Sequence, residues 1–155
     1  CRLLAQAAGA QGMAGGQAID LASVGLALDQ AALENMHRKK TGALLQASVL
    51  MGAASGAPDT RAHDALADYG AALGLAFQVV DDILDVVADS ATLGKTAGKD
   101  AANDKPTFVS LMGLDAARAY AQSLIERAHA ALQRSGLDDT RALAALARQV
   151  VQRSF

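Results

Sequence analysis

Residues 77–85, Phe77-Gln-Val-Val-Asp-Asp-Ile-Leu-Asp85, set three carboxylates into a run that is otherwise almost wholly apolar and contains no basic residue. On a helix advancing about 100° per residue, Asp85 and Asp82 lie roughly 40° and 100° from Asp81, with Gln78 at about 60° and Asp89 at about 80°. The acids then share one face, and Val79, Val80, Ile83, Leu84, Val86 and Val87 take the other. A solvated charged face is the ordinary explanation for acids on a helix. Two features weigh against it. No Lys or Arg stands at three- or four-residue spacing, where such a face mixes signs, and like charges placed so close repel one another. A hard divalent cation resolves the repulsion, because carboxylate oxygens suit Mg²⁺ or Ca²⁺. Mg²⁺ is characteristically held by one or two carboxylates together with substrate phosphates, so the acids imply a phosphorylated ligand.

Working outward, the surrounding chain reads as helix throughout. It has 155 residues, 52% hydrophobic and 19% charged, with 2 Pro, no Trp and 3% aromatic residues. This composition supports a buried core of high helix propensity and offers little material for strands. We therefore expect one all-α domain over residues 1–155. Periodicity and capping residues predict helices from about Leu3 to Leu28, from Asp29 to the HRKKTG stretch, from about Thr41 to the breaker SGAPDT, and from a Thr60 cap to about Ser90. A polar loop, ATLGKTAGKDAANDKP, follows. Further helices are expected from about Pro106 to Met112, Asp115 to Ser135 and Asp139 to Arg153. Gly12, Gly15 and Gly16 interrupt the first helix at a cost of about 1 kcal/mol each against alanine, which points either to tight helix packing or to room for a ligand.

A phosphorylated ligand needs cations, and both flanks of the acidic helix supply them. Lys40 precedes a helix start, where free N–H groups and a lysine together suit an anion. The polar loop adds Lys95, Lys99 and Lys105. A unit charge pair at about 4 Å is worth roughly 1 kcal/mol in water and about 4 at an effective dielectric of 20, so it is the combination of lysines in a partly dry cleft that matters. The net charge of -2 and the short basic patch His37-Arg-Lys-Lys40 exclude nucleic acid as a main partner. Cys1 is the single cysteine, so no internal disulfide framework exists, and a reducing cytoplasm is compatible with it. No uncharged span is long enough to cross a bilayer, so no stable membrane insertion is expected.

At these residues the sequence resembles the trans-isoprenyl diphosphate synthases, and among them the bacterial farnesyl diphosphate synthase type. FQVVDDILD is similar to the family's second aspartate-rich motif. GMAGGQAIDL, HRKKTGALL, YGAALGLAFQ, DVVADSATLGKTAGKD and DKPTFVSLMGLDAAR match successive family signatures in order, from about Gly12 to the end. The resemblance implies the C-terminal part of an isoprenoid synthase-type helical bundle. It implies Mg²⁺, with Mn²⁺ as a substitute, held by Asp81, Asp82 and Asp85 against an allylic diphosphate. Lys40 and Lys95 would contact that diphosphate, Thr41 and Gln78 would border the reacting carbons, and Phe77 would lie near isopentenyl diphosphate. Asp100 would support the metal shell through water, and Lys105 would add a further cation. A cytoplasmic homodimer is implied by the same likeness.

The family's first aspartate-rich motif, the Arg pair after it and an upstream basic site are not present. The opening at Cys1, which runs straight into helical sequence, leads to the same expectation of a missing N-terminal half and of a chain inactive alone. Asp138 and Asp139 precede TRALAAL and read as a helix cap rather than a second metal motif. A terpene cyclase is the nearest enzymatic rival, but Leu111 stands where its second metal motif needs Glu. A geranylgeranyl or other-length synthase and a non-catalytic prenyltransferase subunit compete with the farnesyl reading, and a pure scaffold has no use for the acids and lysines. Gly94-Lys95-Thr96 imitates the end of a P-loop without its first glycine or a preceding strand, and the three histidines lack zinc spacing.

Overall fold

The computed structural model describes residues 1–91 and 106–152, and of residues 88–91 the backbone alone. Among the described residues all regular structure is helical: α1 (Arg2–Ala8), α2 (Met13–Ala22), α3 (Gln30–His37), a π-helical turn (Arg38–Gly42), α4 (Ala43–Ser55), α5 (Thr60–Ala91), α6 (Phe108–Met112), α7 (Leu114–Arg134) and α8 (Arg141–Val151).

The central element is α5, and its broadest partner is α7. Along α5 the buried residues Ala62, Ala65, Tyr69, Ala72, Ala76, Val79 and Ile83 alternate three- and four-residue steps, the spacing of a knobs-into-holes seam. Along α7 the same steps connect Ala117, Ala121, Leu124, Ala128, Ala131 and the buried Ser135 beyond its end. Alanine at most of these positions lets the two axes come close, and the few large side chains, Tyr69, Leu75 and Leu124, fill the remaining space without exposure. The pair is antiparallel: Arg134 near the end of α7 reaches Asp68 near the start of α5 at 2.8 Å, and Tyr69 closes the third side by donating its hydroxyl to the Leu143 carbonyl of α8 at 2.8 Å.

Four features of the helices differ from the sequence expectation. The first predicted helix is two, because Gly9 ends α1 and Gly12 begins α2, and α2 stops at Ala22 rather than Leu28. The cap of α5 is Asp59, whose Oδ1 accepts the Ala62 N–H at 2.7 Å, and Thr60 is already the first helical residue. The HRKKTG stretch does not end a helix. Backbone winding continues from α3 to α4 through the wide turn at Arg38–Gly42. Before α8 the cap position is Thr140 rather than either aspartate, and Asp139, one residue earlier, accepts the Arg141 N–H with its Oδ1 at 3.0 Å.

That turn lies between two glycines on neighbouring helices. A methyl on Gly16 of α2 would collide with the backbone of Lys40, and one on Gly74 of α5 would stand 2.8 Å from Gly42 Cα. The turn is therefore clamped by backbone contacts on both sides. Of the two readings open for the glycine patch, Gly16 serves close packing, and Gly12 and Gly15 do so against the preceding chain at Ala7 and Ala10.

Candidate functional site

The clamped turn directs Lys40 to α2 and Thr41 to the middle of α5. Lys40 Nζ donates to Asp20 Oδ2 of α2 at 2.7 Å, with the two side chains 31% and 9% exposed. The partly open ammonium uses one of its three donors there, so the contact fixes its position while leaving donors for an anion. Thr41 Oγ1 donates to Gln78 Oε1 at 3.2 Å, and Gln78 Nε2 donates to Asp82 Oδ1 at 3.2 Å. The other oxygen of Asp82 accepts the Phe108 N–H at 2.8 Å. A continuous polar chain thus runs from the turn, across α5, to the first residue of α6.

The three acids of the opening stretch divide. Asp81 and Asp85, one helical turn apart, are both exposed. Asp82 is buried, at 6% exposure, beneath the start of α6. Its carboxylate satisfies an N–H that the first turn of any helix leaves without an intrahelical partner. Val86, expected on the apolar side, is 41% exposed. Phe77 is half-buried and turns toward a groove of about 320 Å³ that it lines with Leu45, Leu73, Leu146, Gln149 and Val150. Lys95, Lys99, Asp100 and Lys105 lie outside the described residues, as does the side chain of Asp89. The structure therefore joins Thr41, Gln78 and Asp82 by direct contact, sets Lys40 beside them in the chain with its ammonium on Asp20, and leaves Asp81 and Asp85 exposed on α5. Among the described residues no three potential ligands group closely enough to hold a metal ion. Asp81 and Asp85 fit a hard cation by chemistry, as exposed oxygen donors that would supply part of its shell.

Two residues of this site were not singled out from sequence. Asp20 belongs to the quoted GMAGGQAIDL, and the signal was a carboxylate at the end of a segment whose glycines already indicated close approach. His37 immediately precedes the turn, is 6% exposed, and neither ring nitrogen has a hydrogen-bond partner among the described residues. Its ring packs on Phe108 at 5.5 Å between centroids, and Phe108 in turn meets Tyr120 at 5.8 Å. Burial, with a smaller contribution from Lys40, holds the His37 ring's pKa down to about 4, against a smaller opposing pull from Asp20. The ring is neutral at physiological pH.

Residues 2–145 match the sequence profile of the Polyprenyl synthetase family. The chain is 49% identical over 154 residues to a farnesyl diphosphate synthase of Escherichia coli (strain K12), covering 97% of this chain and 52% of the relative. It is 42% identical to the large subunit 1 of a heterodimeric geranylgeranyl pyrophosphate synthase of Arabidopsis thaliana, over 97% of this chain and 41% of that one. A crystal structure of a geranyltransferase from Helicobacter pylori, complexed with magnesium and isoprenyl diphosphate, superposes with a TM-score of 0.75 at 35% identity, over 97% of this chain and 48% of that one. The chain spans about half the length of the curated relatives it matches.

Proposed function

The chain belongs to the polyprenyl synthetase family, and on that premise we propose that it forms one half of a Mg²⁺-dependent prenyltransferase, which condenses isopentenyl diphosphate with dimethylallyl or geranyl diphosphate to give farnesyl diphosphate. The observation that carries this reading is the polar chain Thr41–Gln78–Asp82, which fixes the turn bearing Lys40 to the helix bearing Asp81 and Asp85. A cation that binds phosphate and carboxylates that bind metal are thereby held in one rigid frame. The H. pylori relative was crystallised with magnesium and isoprenyl diphosphate, which supports the same ligand pair here.

In this reaction the allylic C–O bond breaks, pyrophosphate leaves with the electron pair, the isopentenyl double bond attacks the allylic carbocation, and a proton is lost. Mg²⁺, when bound, would stabilise the charge developing on the leaving group. Asp81 and Asp85 would supply carboxylate oxygens to it. Asp82 acts differently from its neighbours: with both oxygens engaged, it anchors α6 and orients Gln78. Lys40, positioned by Asp20, offers its remaining donors to the diphosphate. Thr41 and Gln78, joined to each other, border the reacting carbons. Phe77 and the apolar groove beside it exclude water from the hydrocarbon side. Lys95 and Lys105 complete the cation set in the proposal by resemblance alone. So do the homodimer, the cytoplasmic location and the N-terminal half carrying the first aspartate-rich motif, without which this chain turns over no substrate. Among the described residues no helix is long and apolar enough to cross a membrane.

The test is an assay of the natural protein containing this chain with isopentenyl and dimethylallyl or geranyl diphosphates and Mg²⁺, with products sized by chromatography. Asp81→Ala is expected to lower turnover by about 100-fold or more with the helical signal intact. Near-normal turnover in that variant removes the proposed role. A C20 product instead of C15 retains the chemistry and replaces the farnesyl assignment with a geranylgeranyl one.

A further inference from the structure

On the flank of α5 that faces α7, a concavity of about 400 Å³ is lined by Arg38 from the π-helical turn, Asp68 and Ala71 from α5, and Arg127, Ala130 and Arg134 from α7. Its form follows from side-chain size: where both helices carry alanine the surface sinks, and the arginines stand around the depression. Two of the guanidinium groups are held by carboxylates. Arg134 donates to Asp68 at 2.8 Å, and Arg38 donates to Glu34 at 3.1 Å. Glu34 is itself fixed by the Tyr120 hydroxyl at 2.6 Å and Gln30 Nε2 at 3.0 Å. Arg127 makes no ion pair among the described residues. A guanidinium has five donors in a rigid fork, and one contact to a carboxylate leaves most of them available.

We propose that this arginine-rimmed bowl is a binding site for a phosphate- or diphosphate-bearing anion, separate from the acid-bearing site. Three guanidinium groups against the carboxylates of Asp68 and Glu34 leave a net positive charge, which favours an anion. They approach from α7, which carries Arg127 and Arg134, and from the turn, which carries Arg38, an arrangement suited to a tetrahedral group with oxygens in several directions, whereas a planar carboxylate is satisfied by one fork. The site differs in kind from the one around Asp81. It contains no acid pair to recruit a divalent metal, so the anion is bound by guanidinium groups directly and Mg²⁺ is not needed. It also differs in place, since Asp68 and Asp81 are about 20 Å apart along the same helix at roughly 1.5 Å per residue. Soluble phosphate esters and free inorganic phosphate or pyrophosphate share the chemistry recognised.

The experiment titrates the chain with inorganic phosphate, and separately with pyrophosphate, in EDTA at constant ionic strength, followed by calorimetry and ³¹P NMR. A saturable, metal-independent site is expected. Arg127→Ala should weaken it by about tenfold, and Arg127→Lys, which keeps the charge and loses the fork, by less. Lys40→Ala and Asp81→Asn should leave it unchanged, while removing any Mg²⁺-dependent pyrophosphate binding at the other site, so the two readings fail separately. Binding that does not saturate overturns the proposal, as does binding that persists in Arg127→Ala or disappears in Lys40→Ala. Arg127 is exposed, and circular dichroism of Arg127→Ala and Arg127→Lys is expected to match the parent.

Discussion

His37→Phe should make the protein's stability less dependent on pH. In the folded chain the ring is buried beside Phe108 with both nitrogens unpaired among the described residues, and its pKa is about 4 against an ordinary value of 6.5. Because the folded pKa lies below the unfolded one, the unfolded state takes up the proton first as pH falls. Stability is therefore full above about pH 6.5 and is lost progressively between 6.5 and 4. The gap between these two values corresponds to roughly 3 kcal/mol in total, of which about 2 kcal/mol is lost between pH 7 and pH 5. Carboxylates also titrate in this range, so the informative quantity is the difference between wild type and variant. Urea unfolding at pH 7 and pH 5 is expected to show a decrease larger by about 2 kcal/mol in wild type than in His37→Phe. A phenyl ring of slightly different size shifts both pH values alike and drops out of the comparison. Equal pH dependence of the two proteins would refute the reasoning, and so would an imidazole titration near 6.5 followed by NMR in the folded wild type.

Adjacent acids should separate by role. Asp82→Ala removes the acceptor of the buried Phe108 N–H and is expected to cost about 2 kcal/mol in urea unfolding, whereas exposed Asp81→Ala stays within about 0.5 kcal/mol. Gly16→Ala places a methyl against the Lys40 backbone and should displace the turn, lowering both the melting temperature and Mg²⁺-dependent pyrophosphate affinity. A melting temperature equal to wild type would show that the clamp gives way freely. Asp20→Asn releases Lys40 from its carboxylate and should lower kcat/KM of the natural enzyme on the order of 10- to 100-fold with little change in stability, checked by steady-state kinetics.

Helix content was legible in the sequence because alanine, leucine and the three- and four-residue spacing of α5 and α7 all specify the same state. The boundaries were less so. Gly9 and Gly12 end and restart a helix, yet helical propensity alone reads through them to Leu28. Asp59 and Thr60 are both competent caps, and only the position of the chain entering α5 selects the first. At the site, helical spacing sets Asp81, Asp82, Asp85 and Gln78 on one side of α5, and Gln78 does contact Asp82. Which of two neighbouring acids goes beneath α6 depends on where a segment 26 residues later lands, and spacing within α5 carries no signal of it. Asp20 and Lys40 pair across 20 residues, a separation at which no local pattern operates. The burial of His37 depends likewise on Phe108, which is 71 positions away in the sequence.

The wide turn at Arg38–Gly42 gives this stretch an unusual sensitivity to insertion and deletion. A π-type turn closes its ring one residue later than an α-helix does, so it stores a surplus residue between two otherwise regular coils. Excising one position would let ordinary winding resume, with α4 keeping close to its phase relative to α3 and the displacement falling on the turn itself. Gly42 would leave Gly74, and Thr41 would leave Gln78. The length of this segment is fixed by the backbone contacts on either side of it.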